Sequence, residues 1–278
     1  MNKRQSRYVQ IAQLAYQLTQ RALRRYRHRH SPHTYTQPQV AACTLLVFYL
    51  KLSYRDGEEW LLASEAVCQA LGLSQVPDHS TLCRMYQQLN RRRLLSLLRH
   101  LLTQQAPKEA VIALDSTGYS SSQASAYYQT RSGKRQRGWF HAAYAVGTDS
   151  QLILSAREDH ANGPNDARFL RPLKRAARPY VRRNYLSLAD RGFDCRAVDS
   201  HDLIPPVRRH RRLLAPERIA RAELVAQARL DGVYGQRWKC ETVHSVIKRK
   251  LGSTVRSHSL HLQRRESILK AVLYNIHR

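Results

Sequence analysis

Acidic residues are scarce in this chain. Its 278 residues hold 20 Asp and Glu against 47 Lys and Arg, a formal charge of +27 at neutral pH. That excess is far beyond what solubility requires, and its natural counterpart is a polyanion. Long apolar runs are lacking as well. No stretch reaches the roughly 18 uncharged residues of a spanning helix, and the longest, VAACTLLVFYL at 40–50, has the length of a buried helix. No amphipathic tail stands apart to lie on a membrane surface, so no membrane partner is expected. The N-terminal MNKRQSRYVQIAQL is basic but leads into no apolar segment with a small-residue cleavage site, which points to the cytosol.

Cysteine is sparse and unpaired in pattern. Cys43, Cys68, Cys83, Cys195 and Cys240 are odd in number, widely spaced and free of any CxxC, the usage of a reducing compartment. They indicate no zinc site. Histidines gather in RHRHSPH (His28, His30, His33) and SHSLH (His258, His261). Neither group has a second ligand pair at metal-binding spacing, and both sit among arginines that repel a cation, so they read as solvated basic surface. Internal repeats and low-complexity tracts are absent.

Residues 1–105 read as helical throughout. Val9, Ile11, Leu14, Leu18 and Leu23 follow helical spacing, and a second helix is expected over about 38–52 with Pro38 in its first turn. SEAVCQALGLSQVPDHSTLCRMYQQL (64–89) outlines a helix ending near Gly72, a connector, and a second helix opened by Asp78 as N-cap. This is the pattern of a helix-turn-helix whose second helix would offer Arg84 to DNA, and equally of any αα-hairpin.

From residue 108 the texture changes to short β-branched and aromatic runs separated by turn residues. EAVIALD (109–115) reads as a buried central strand, WFHAAYAV (139–146) and QLILSAR (151–157) as a hairpin about GTDS, NYLSLAD (184–190) as another buried strand, and DLIPPV (202–207) as a short edge strand. A helix is expected within 162–180, with Asp166 near its start, and further helices over 216–230, 236–251 and 262–276. The Ser-rich segment 116–138 is the most loop-like part, and its composition does not decide between an ordered excursion and a mobile one.

Asp115 and Asp190 each close an apolar run, at the edge where open α/β sheets bind ligands. Each also opens a good turn, DST and DRG, so either aspartate alone is ambiguous. Glu241 is the third acid of interest. At about 100° per residue from Tyr234, Arg237 falls at roughly 300°, Glu241 at roughly 340° and Lys248 at roughly 320°, a single stripe, while Val243, Val246, Ile247 and Leu251 spread over roughly 120–260°. A simple i,i+4 pair between Arg237 and Glu241 is always available for a charged helix, but it does not explain why Tyr, Arg, Glu and Lys share one stripe after two strand-terminal aspartates.

The stretch YGQRWKCETVHSVIK resembles the Y-(2)-R-(3)-E-(6)-K signature of bacterial insertion-sequence DDE transposases, matched at Tyr234, Arg237, Glu241 and Lys248. IALDSTGY and LSLADRGFD are similar to the segments that carry the two catalytic aspartates of that family, and VPDHSTLCRMYQQL resembles its helical N-terminal region. The intervals of 75 (190 − 115) and 51 (241 − 190) residues suit members without a large insertion before the glutamate. The resemblance covers essentially the whole chain.

It implies an α/β fold: a ribonuclease-H-like mixed sheet with flanking helices over 106–278, preceded by the all-helical, DNA-binding region 1–105. It implies an enzyme, with Asp115, Asp190 and Glu241 as catalytic and metal-binding residues. Three carboxylates can hold two divalent cations about 3.5–4 Å apart for in-line phosphodiester displacement, and hard oxygen ligands favour Mg²⁺, with Mn²⁺ as substitute. In the family, water attacks at the element's end and the freed 3′-hydroxyl then attacks target DNA. Asp115 would bridge both ions, with Asp190 on one and Glu241 on the other, while Tyr234, Arg237 and Lys248 contact phosphates. The implied partners are double-stranded DNA, as terminal inverted repeats and as target, and a second copy of the chain at synapsis. The implied location is the bacterial cytoplasm, with the nucleoid. A glycosidase reading of the paired acids fails on charge. A non-catalytic helix-turn-helix regulator or an inactive relic would explain the charge and leave the acids idle.

Overall fold

The computed structural model describes residues 5–278 apart from 31, 121–130, 132–139, 161–165 and 209–214. Most of the Ser-rich segment, and the turn residues before Asp166, lie outside the described residues. The chain divides into two compact units: 1–104 with 250–252 and 268–278, and 105–249 with 253–267.

The first unit is helical. Helices α1 (Arg7–Ala22), α2 (Gln37–Tyr49), α3 (Tyr54–Leu62), α4 (Glu65–Ala70), α5 (His79–Gln88) and α6 (Arg91–Gln105) follow one another. Short polar side chains start them: Thr36 and Gln39 form a reciprocal capping box on α2, and Asp78 accepts from the Thr81 amide at 2.7 Å to open α5. The apolar run at 40–50 becomes α2, buried on nearly every side. Gly72, at φ +62°, takes the left-handed turn after α4 that a side chain would resist. Helix α5 packs on α2 and α3, whereas α4 rests on α1 and α3. Residues 268–278 complete the unit: Arg7 donates to the His277 carbonyl at 2.8 Å, and the Tyr49 hydroxyl meets His277 Nδ1 at 2.8 Å.

The second unit holds a five-stranded mixed sheet in the order β3-β2-β1-β4-β5, with β1 Glu109–Tyr119, β2 Phe140–Gly147, β3 Ile153–His160, β4 Val181–Leu188 and β5 Asp202–Leu203. The hairpin strands β1, β2 and β3 run antiparallel, and β4 and β5 join parallel. This is the expected mixed sheet with flanking helices. It also holds α7 (Ala167–Ala177), α8 (Pro216–Leu230), most of α9 (Trp238–Leu251) and the start of α10 (Leu260–His277), whose residues from 268 on belong to the first unit.

Several local expectations are corrected. The observed order is β-β-β-α-β-β-α-α-α, which the elements read one by one already imply; only a 3₁₀ turn, Arg191–Phe193, and further turns join β4 to β5. Strand β5 has two residues and not six, since Pro205 and Pro206 have no amide to continue a ladder. Buried Asp202 still fastens it: Lys174 reaches its carboxylate at 2.5 Å and the Asp199 amide donates to it at 2.9 Å.

Glu109 opens β1 almost wholly buried, and its carboxylate accepts the Asp149 and Ser150 amides at 2.9 and 3.1 Å. It thereby holds the β2–β3 turn against the start of the central strand. We expect Glu109→Ala to strand two amides and destabilise the chain by about 2–3 kcal/mol, read as a lower urea midpoint at unchanged slope.

Candidate functional site

Strands β1 and β4 are parallel, and their last matched pair is Ala113 with Leu188. Asp115 and Asp190 each lie two residues further on. Neighbouring strands are about 4.8 Å apart, so the register sets the two aspartates side by side where the parallel ladder ends. The strand end at Asp115 is one-sided. Toward β2 the ladder runs on through Asp115–Tyr144 to Tyr119–Phe140, so Asp115 sits inside β1 and not at its tip. Asp190 also does the ordinary work of a turn opener, accepting the Gly192 amide at 2.8 Å.

The Asp115 side chain is 18% exposed. Burial pushes its carboxyl up to about 6, and the charges of Asp190 and Glu241 push the same way, against Arg237 and the Ser116 amide. Glu241 comes from α9. Cys240, Val243, His244, Ile247 and Leu251 form the buried face of that helix at i, i+3, i+4, i+7 and i+11, and Glu241 stands beside it, about half exposed.

Tyr234 and Arg237 lie on a 3₁₀ turn, Tyr234–Arg237, and not on the α-helix assumed in the stripe argument. Arg237 nevertheless reaches Glu241 Oε1 at 2.5 Å, so the plain i,i+4 pair is present. Although partial burial disfavours its charge, Arg237 is held protonated more firmly than usual by Glu241 and Asp115. Tyr234 donates its hydroxyl proton to the Ala189 carbonyl at 3.0 Å, and the Arg229 guanidinium lies over its ring. That bond ties the turn to the residue next to Asp190. Lys248 is half-buried further along α9. Arg84 is exposed on α5 in the helical unit, its guanidinium folded back onto the Ser80 carbonyl at 3.2 Å.

Two groups escaped the sequence reading. Cys240 and His244 stand four apart on the buried face of α9, with Sγ and Nε2 3.6 Å apart, and His244 Nε2 is 3.5 Å from Asp115 Oδ2. Burial and the charge of Lys248 bring His244 down to about 3, so it is neutral. The C-x3-H spacing was visible in the sequence; that it faces Asp115 was not. Asp166, the N-cap of α7, is the other, read from sequence only as a helix start: a Cβ on Gly192 would meet Asp190 Oδ1 at 3.0 Å and Asp166 Oδ2 at 3.3 Å, so both acids crowd one glycine.

Sequence comparison matches residues 106–276 to the family described as "Transposase DDE domain". No curated protein matches the chain. Among the described residues, no helix is long and apolar enough to cross a membrane.

Because the folded pKa of Asp115 lies above its ordinary 3.8, the folded state keeps a proton that the unfolded chain releases between about pH 4 and 6. Stability therefore falls across that window and stays lower above it. Two units correspond to about 3 kcal/mol at neutral pH. In the metal-free protein, Asp115→Asn is expected to raise the urea midpoint at pH 7.5, with the gain shrinking toward pH 4; a gain that does not vary with pH would remove Asp115 as its source.

Proposed function

The chain belongs to the transposase DDE-domain family, and on that premise we propose that Asp115, Asp190 and Glu241 are its catalytic, metal-binding acids. Members of the family act on DNA with divalent metal ions. The observation that carries the reading is geometric: the β1–β4 register sets Asp115 beside Asp190, and partial burial, with the charges of Asp190 and Glu241 adding to it, raises the Asp115 carboxyl against the Arg237 guanidinium. Gathering like charges is costly without a cation among them.

The donor set is all oxygen, which fits Mg²⁺, with Mn²⁺ as substitute, and three carboxylates suffice for two ions. Bound there, the ions would activate an attacking oxygen and stabilise a leaving oxygen in phosphodiester displacement. Hydrolysis at the element's ends and strand transfer into target DNA would then use one site. The protein's own part is positioning. Asp190 is held by the Gly192 amide, and the Tyr234 bond to Ala189 steadies the same strand end from the other side. Arg237 orients Glu241 through one of its five N–H donors, which leaves capacity for a phosphate oxygen. Lys248, on the same helix, supplies positive charge for the phosphate backbone, with Tyr234 completing this DNA-contacting group.

Residues 1–105 are the proposed DNA-binding region, preceding the catalytic domain at 106–278. Within 64–89, exposed Arg84 on α5 is the expected contact. The two substrates are terminal inverted repeats and target DNA. Two element ends brought together call for two copies of the chain, working in the cytoplasm at the nucleoid.

Asp115→Ala and Glu241→Gln are expected to abolish Mg²⁺-dependent cleavage of the element's terminal DNA while leaving binding largely intact. Cleavage at the wild-type rate by either variant would overturn the triad. DNA binding by the wild type with no cleavage under any divalent ion would instead favour a non-catalytic DNA-binding protein, a reading consistent with the Arg237–Glu241 pair. Lys248→Ala is expected to weaken DNA binding and to reduce the slope of log K against log salt by about 1; an unchanged slope would exclude Lys248 from the phosphate contacts.

A further inference from the structure

Asp115, Cys240 and His244 each offer one ligand atom, and these atoms lie within 4.8 Å of one another. We propose that they form a second kind of metal site, one for a thiophilic divalent cation of the zinc class, and that its occupancy withdraws Asp115 from the acids. Nothing in the oxygen-ligand chemistry of Mg²⁺ uses a thiol or an imidazole, whereas zinc takes sulfur, nitrogen and carboxylate oxygen together.

The distances support this. Zinc bonds of about 2.3 Å to sulfur, 2.0–2.1 Å to imidazole and 2.0–2.2 Å to carboxylate, set at tetrahedral angles, place sulfur and nitrogen about 3.6 Å apart and nitrogen and oxygen about 3.4 Å apart. The structure has Cys240 Sγ 3.6 Å from His244 Nε2, and that nitrogen 3.5 Å from Asp115 Oδ2. Two edges of a zinc tetrahedron are therefore already formed. The i,i+4 spacing on α9 supplies the first edge, and the neighbouring strand supplies the second.

His244 presents an Nε2 lone pair to a cation when its proton is on Nδ1. On binding, the metal–sulfur bond forms, the Cys240 S–H bond breaks and its proton passes to solvent. One thiolate and one carboxylate then balance a divalent charge in a mostly buried place. A fourth position is left for water.

The ordinary account of the pair is a weak hydrogen bond between the Cys240 thiol and His244, and Co²⁺ separates the two. With the reduced, metal-free full chain, Co²⁺ titration is expected to give a thiolate-to-cobalt charge-transfer band in the near ultraviolet at one equivalent per chain, displaced by Zn²⁺. The band should vanish in Cys240→Ser and in Cys240→Ala and weaken in His244→Phe, with circular dichroism checking that each variant is folded. No band, or a band retained in both Cys240 variants, would overturn the site.

Inhibition rests on the proposed role of Asp115 and has its own readout. In Mg²⁺-supported DNA cleavage, Zn²⁺ is expected to inhibit the wild type at least about tenfold more strongly than Cys240→Ser, each compared with its own zinc-free rate. Equal inhibition would overturn the link to catalysis. A wild type that binds Co²⁺ through Cys240 but never cleaves DNA would sink the catalytic reading and leave the metal site standing.

Discussion

The parallel pairing of β1 with β4 is the constraint on which the rest of the second unit depends. Main-chain hydrogen bonds match Ala113 to Leu188, and because side chains alternate along a strand, a slip of one residue would turn Asp115 and Asp190 to opposite faces. The flanking pieces secure that register. Glu109 fixes the turn that returns β3 along β2, Asp202 and Lys174 fasten β5, and the Tyr234 hydroxyl holds the strand end at Ala189. Of these groups only Tyr234 is proposed to touch DNA as well. Each limits how far the two aspartates can drift apart.

Much of this was legible in the sequence because the informative residues act locally. Strand β1 appears as an apolar run closed by an acid, and the starts of α2 and α5 appear as Thr36 and Asp78 ahead of helical spacing. What could not be read depends on partners far away in the chain. Composition shows a strand ending at Asp115, because β2, which carries β1 on to Tyr119, lies beyond a long polar segment. The helical stripe through Tyr234 and Arg237 assumed 100° per residue in a place where the backbone makes a tighter 3₁₀ turn. Its consequence for Glu241 survived because a long guanidinium side chain tolerates such an error. His244 was missed for a different reason: a lone histidine on an apolar helix face looks like core, and only β1 on the opposite side gives it another meaning.

Helix α9 serves two purposes that compete. Val243, Ile247 and Leu251 secure it by burial, while Cys240, His244 and Glu241 bring polar atoms to its border with β1. Local consistency would favour apolar residues at all the buried positions, and departures from it tend to collect where function is. The protonated tendency of Asp115 is part of the same conflict: the environment that makes it costly for folding is the one that would make a cation welcome.

The helical unit is discontinuous in sequence. It takes in residues 268–278, whose Ile268, Leu269, Val272, Leu273 and Ile276 are buried, and whose Lys270 donates to the Leu251 and Gly252 carbonyls at 2.6 and 2.8 Å. On a ribosome these residues emerge only after the whole sheet-bearing stretch has been made. The unit that contains α1 to α6 therefore cannot be completed until the last residues have been made. The chain thus acquires a built-in order of maturation, in which the unit that is translated first is among the last to close.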